Sequence, residues 1–134
     1  MKKLIVSLGL TLTLSFGATL DEGEEAYKKG DYKTALIIFE DLASKNDAEA
    51  QNELGLIYEN GYGVKQDYLK AKEWYEKAAA QGNFSAENNL GVLYQYGYGV
   101  KLNYKKAIDL FGKACDGGYQ KGCDNYKLLN EQGF

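Results

Sequence analysis

The feature that most constrains this chain is a phrase written twice. Leu54-Gly-Leu-Ile-Tyr-Glu-Asn-Gly-Tyr-Gly-Val64 returns 36 residues later as Leu90-Gly-Val-Leu-Tyr-Gln-Tyr-Gly-Tyr-Gly-Val100. The correspondence runs on past the turn. Asp67-Tyr-Leu-Lys-Ala71 is answered by Asn103-Tyr-Lys-Lys-Ala107, and Trp74-Tyr-Glu-Lys-Ala78 by Leu110-Phe-Gly-Lys-Ala114. A fixed period of this length marks units that cannot bury their apolar faces alone and must stack on their neighbours. There is no proline to interrupt a helix, and the β-branched alternation of strands is missing. The expected fold is therefore all-α, a short solenoid of antiparallel helix pairs.

Taken in order, a short helix from Asp21 to Lys29 places Ala26 and Tyr27 on one face. Gly30-Asp31 turns the chain, and Asp31 caps a helix over 32–44 whose Tyr32, Ala35, Ile38, Phe39 and Leu42 make one apolar stripe. The long glycine-rich loop is absent from this first pair. A helix over 48–60 aligns Ala50, Leu54, Ile57 and Tyr58. Gly55 lies mid-helix, where glycine costs about 1 kcal/mol relative to alanine. It recurs as Gly91, and a repeated cost implies a repeated close approach of two helices. Val64 is expected to tuck back onto the pair. The helix over 67–81 buries Tyr68, Ala71, Ala78 and either Trp74 or Tyr75, and the second repeat does the same with its counterparts. Tyr58, Tyr68, Tyr94 and Tyr104 read as packing residues, whereas Tyr62, Tyr96 and Tyr98, beside the loops, read as freer to meet a partner. A last helix begins near Tyr119, and Gly133-Phe134 echoes Gly97-Tyr98. Lys127 takes the place of the mid-helix glycine, as suits a capping helix with no further neighbour.

The N-terminus has a different grammar. Lys2-Lys3 precede an apolar run from Leu4 to Phe16, then small residues, then Asp21-Glu-Gly-Glu-Glu25. This order is that of a secretory signal peptide, residues 1–17, and the run is too short to span a bilayer. The mature protein is then exported, periplasmic or secreted, with no membrane span. Its removal leaves 14 lysines against 19 acids, a net charge of −5, without a single arginine. Such a chain is a poor partner for nucleic acid. In an oxidising compartment the two cysteines, Cys115 and Cys123, point to a disulfide before a metal site or reactive thiols. With no histidine, no metal or other cofactor is expected.

The run Ala-x-x-x-Leu-Gly-x-x-Tyr-x-x-Gly-x-Gly-Val-x-x-[Asp/Asn]-Tyr-x-x-Ala, continued by [Trp/Leu]-[Tyr/Phe]-x-Lys-Ala, resembles the Sel1-like repeat, a subclass of the tetratricopeptide superfamily. Residues 50–83 and 86–119 match it, residues 20–46 resemble an ordinary tetratricopeptide unit, and 120–134 make the capping helix. Lys113-Ala-Cys115 and Gly122-Cys123 add a narrower likeness to the secreted Helicobacter cysteine-rich proteins. There, two cysteines separated by seven residues join the second helix of one repeat to the first helix of the next. The resemblance implies that Cys115 and Cys123 pair in this way, with free structural thiols as the alternative.

The tetratricopeptide likeness also implies a concave groove lined by the first helix of each pair. By register this groove takes Asn52, Leu56 and Asn60 from the first full repeat and Asn88, Val92 and Tyr96 from the second. Asparagine donates and accepts, which suits an extended peptide's backbone. The leading expectation is a protein- or peptide-binding module, a monomer or part of a larger assembly. Two other readings stand beside it: a structural subunit of an envelope assembly, and β-lactam recognition or hydrolysis, as described for some cysteine-rich relatives. Residue chemistry gives the last little support. The mature chain's serines, Ser44 and Ser85, are followed three positions on by Asp47 and Asn88, not by the lysine of a Ser-x-x-Lys motif.

Overall fold

A computed structural model describes residues 17–134; the expected signal peptide, apart from Gly17, lies outside the described residues. Seven helices and no strand occur among them: α1 (Leu20–Lys28), α2 (Tyr32–Ser44), α3 (Ala48–Asn60), α4 (Tyr68–Ala80), α5 (Phe84–Tyr96), α6 (Tyr104–Asp116) and α7 (Gln120–Glu131). The period sets their starts. Asp31, Asp67 and Asn103 cap the second helix of successive pairs, each side chain accepting a backbone N–H three residues on. Asp47 and Asn83 cap α3 and α5 in the same way, and Thr19 with Glu22 closes a capping box on α1. Gly61 and Gly97 end α3 and α5 in the left-handed region, at φ +70° and +68°. Asn46, at φ +69°, fills the role that Gly82 and Gly118 play one and two periods later.

Each helix packs on the next in chain order, so the pairs stack as consecutive layers. Beyond this, α3 adjoins α5 and α5 adjoins α7, while the second helices α2, α4 and α6 make no comparable contact with one another. A stack whose first helices lie closer than its second helices curves toward the first. That row therefore forms the inner face.

The repeated glycine has the purpose its cost implied. A Cβ on Gly91 would stand 2.6 Å from the ring of Phe111, and one on Gly23 the same distance from the ring of Phe39. Gly55 opens the equivalent space for Tyr75. In all three pairs a buried aromatic of the second helix packs against the backbone of the first, at positions 39, 75 and 111. This settles the choice left open at 74 and 75: Tyr75 is fully buried and Trp74 only partly so. Val64 packs against the first core cluster, which includes Phe39 and Leu54, and Val100 against the second, which includes Tyr75 and Leu93; the third holds Phe111 and Leu129.

The loops fold back over the preceding pair. Tyr62 stacks on Tyr32 with centroids 4.9 Å apart, Tyr98 on Tyr68 at 4.8 Å, and Phe134 on Tyr104 at 4.0 Å. Tyr62 and Tyr98 are thus inter-pair staples; of the loop tyrosines, Tyr96 is the more exposed, and Tyr98 keeps part of its surface open to solvent. The close fit needs glycine, since a Cβ on Gly63 or Gly99 would press on Tyr32 or Tyr68.

Candidate functional site

The inner face is organised by an amide ladder. Asn89 Nδ2 on α5 donates to Asn52 Oδ1 on α3 at 3.1 Å, and Asn125 Nδ2 on α7 donates to Asn88 Oδ1 on α5 at 2.9 Å. Each bond crosses 37 residues, one period plus one step. Asn52 and Asn88 are only 2% and 4% exposed. The two asparagines expected to face a ligand face the next repeat instead, because burying an amide is tolerable only where another polar group meets it. Asn89 and Asn125 were not anticipated. Their signal was in the sequence, as asparagines immediately following the positions 36 and 72 residues beyond Asn52.

The other expected residues divide. Leu56 and Val92 are half-buried, packed against the second and third core clusters, and with exposed Leu128 they form an apolar line at the 36-residue interval. Asn60 and Tyr96 are exposed at the ends of their helices. Asn60 turns its Nδ2 back onto the Leu56 carbonyl at 2.9 Å. Three helices, α3, α5 and α7, carry all of these groups.

Where the ladder begins, the chemistry changes. Glu53 holds the position of Asn89 and Asn125, and its charged neighbours are Glu49 on α3 with Glu24 and Lys28 on α1. Burial, reinforced by the two carboxylates, pushes its carboxyl up to about 7, with Lys28 opposing. Glu59 and the Tyr75 hydroxyl are adjacent but not in hydrogen-bonding geometry, and burial raises both. Ser44 donates to the Asp41 carbonyl and Ser85 to the Tyr119 hydroxyl, so neither hydrogen bond meets a base. Among the described residues, no group of three His, Cys, Asp or Glu side chains is placed to hold a metal ion.

At the end of the ladder Cys115 on α6 and Cys123 on α7 form a disulfide, with Cα atoms 4.5 Å apart. Gly122 permits that approach, since a Cβ there would stand 2.7 Å from the Ala114 methyl.

The Sel1 repeat pattern matches residues 48–83 and 84–119, the α3–α4 and α5–α6 pairs. The chain belongs to the Sel1 repeat family. Sel1 repeats are protein-interaction modules. A Sel1 repeat protein from Oxalobacter formigenes has the same fold, with a TM-score of 0.80 and 31% identity over 86% of this chain and 47% of its own. Helicobacter pylori cysteine rich protein B superposes with a TM-score of 0.60 at 27% identity, covering 81% of this chain and 98% of that protein. HcpE of Helicobacter pylori strain J99, whose name provisionally assigns it a beta-lactamase activity, is 42% identical over 45 residues, 34% of this chain and 13% of HcpE. The likeness to the Helicobacter cysteine-rich proteins is thus established. This Sel1 chain spans less than half of the Oxalobacter protein and a small part of HcpE.

Proposed function

We propose that this Sel1 repeat protein is an exported module that receives a protein or peptide on its inner face. The observation that carries the reading is the apolar line of Leu56, Val92 and Leu128, flanked by exposed Asn60 and Tyr96, on the side where the first helices adjoin. Apolar side chains left in reach of solvent at a regular interval suit an elongated partner that runs along the stack. Export is supported by the order of residues 1–17 and by a disulfide of the kind that persists in oxidising compartments.

A photo-crosslinking residue at position 92 or 128 tests this in cells, with exposed position 109 on α6 as the control. Adducts of one defined mass at 92 and 128, absent at 109, are expected. Equal adducts at 109, or none at either inner position, would refute the groove. The name carried by HcpE makes hydrolysis the competing reading. Its test is a chromogenic β-lactam incubated with purified oxidised protein. Turnover above a Ser44→Ala, Ser85→Ala control would replace the binding reading; none is expected, because neither serine has a base.

A further inference from the structure

The loops of the two full repeats share a backbone but not a surface. Around the first loop the exposed positions are Asn60, Gln66 and, on the preceding helix pair, Lys33; 36 residues on, around the second loop, they are Tyr96, Leu102 and Leu69. The polar set serves the fold. Gln66 Nε2 donates to the Glu59 carbonyl at 2.7 Å and to the Tyr68 hydroxyl at 3.1 Å, tying the loop to its helix. Leu102 gives up that tie.

The apolar set is contiguous and open. Tyr96 stacks on Tyr98 with centroids 5.5 Å apart, and Tyr98 on Tyr68, the neighbour of Leu69. A Cβ on Gly97 would stand 3.2 Å from Leu102 Cβ. Leu69, Tyr96, Tyr98 and Leu102 are each between 40% and 60% exposed. The first loop folds with Lys33, Asn60 and Gln66 around it in place of these apolar residues, so packing does not require them. Grouped exposed apolar side chains mark binding surfaces.

The charge around the patch is opposite to that of the chain. The protein carries a net −3, yet Lys65 and Lys70 line an open depression of about 620 Å³ bounded by Leu69 and Gly99, and exposed Lys101 adjoins Leu102. No ion pair among the described residues uses these three lysines. Asp67, the acid in that depression, accepts the Lys70 backbone N–H as a helix cap.

We propose that Leu69, Tyr96, Tyr98 and Leu102 form a docking site for an acidic peptide segment bearing an apolar anchor. The depression receives the anchor, and the lysines steer and hold the flanking carboxylates. A concave wall favours a peptide over a flat lipid surface. The site is separate from the inner-face line; Tyr96 alone borders both, so the test turns on Leu69 and Leu102.

A phage-displayed library of short random peptides, panned on the purified oxidised protein, supplies the probe. The recovered sequences should set Asp or Glu on both sides of Leu, Phe, Tyr or Trp, and bind less tightly as salt rises. Leu69→Lys with Leu102→Gln copies Lys33 and Gln66, the residues around the first loop. It should weaken the selected peptides at least about tenfold without shifting the denaturation midpoint. Lys65→Glu with Lys101→Glu, which leaves the apolar patch intact, should also abolish binding. Leu128→Asn on the inner face should leave it unchanged. Recovered peptides without acidic bias, or peptides that bind the Leu69/Leu102 variant as well as the parent, overturn the proposal. So does the absence of any patch-dependent peptide. Patch-dependent adhesion to phosphatidylglycerol vesicles alone would assign the surface to lipid, and self-association lost in the double variant would assign it to a second copy.

Discussion

Gly91→Ala tests the packing on which the stack depends. A methyl group added to a mid-helix glycine ordinarily gains about 1 kcal/mol of helix propensity. At Gly91 that methyl would stand 2.6, 2.8 and 3.2 Å from three atoms of the Phe111 ring. Unstrained carbon contacts lie near 3.5–4.0 Å. The ring is fully buried and flanked by core neighbours, so it has little room to retreat. Overpacking of this kind costs about 1–3 kcal/mol, and a rigid ring argues for the upper end. After subtraction of the propensity gain, Gly91→Ala should lose about 2 kcal/mol. Gly112→Ala, in the same repeat, is the control: its methyl would meet only Tyr126, at an ordinary 3.4 Å, and should gain about 0.5–1 kcal/mol. Urea unfolding of the oxidised protein, followed by circular dichroism, measures both. In a Phe111→Leu background the Gly91→Ala penalty should largely vanish. A Gly91→Ala protein as stable as the parent, or one equally damaged without the ring, would refute the reasoning.

Glu53→Gln tests the head of the ladder. The folded carboxyl sits at about 7 against 4.5 in an unfolded chain, so the folded state holds the proton more tightly and stability falls as pH rises between those values. The variant should exceed the parent by about 1 kcal/mol above pH 7, after allowance for solvent screening, and lose the advantage near pH 4; urea midpoints across that range check it. Asn88→Ala leaves the Asn125 amide without its acceptor and should cost about 1–2 kcal/mol, read from the same unfolding curves. Cys115→Ser with Cys123→Ser opens a short loop whose closure is worth about 2.5 kcal/mol. Hydrogen exchange should then quicken in α7 before α3, whereas uniform quickening would mean that the bridge does not act locally.

The period alone made most of the fold legible. Once positions 36 residues apart are equated, the caps at 31, 67 and 103 and the glycine at 55 and 91 follow from local chemistry. Two side-chain assignments did not follow, for a physical reason. An asparagine recurring on the first helix looks the same whether it faces a groove or the next repeat. Only the offset of 37 residues in the bonds to Asn89 and Asn125 distinguishes them, and that offset depends on how far each layer is rotated on the last. Tyr62 and Tyr98 likewise looked free because they adjoin a loop. Their stacking on Tyr32 and Tyr68 depends on the loop folding back over the preceding pair.

The same comparison indicates where binding chemistry resides in such a chain. The glycines shared by the two full repeats are consumed by packing: those in mid-helix receive rings, and those in the loops press on the preceding tyrosines. A residue so engaged cannot serve a partner without loosening the stack. Freedom to diversify belongs to positions where one repeat already shows that the fold tolerates something else. Leu69 against Lys33 and Leu102 against Gln66 are exposed positions of that kind; Glu53 against Asn89 is half-buried and Tyr75 against Phe111 buried, where the change alters proton affinity instead of contact surface. An internal repeat thus carries its own control, and departures between equivalent exposed sites identify functional side chains better than the shared motif does.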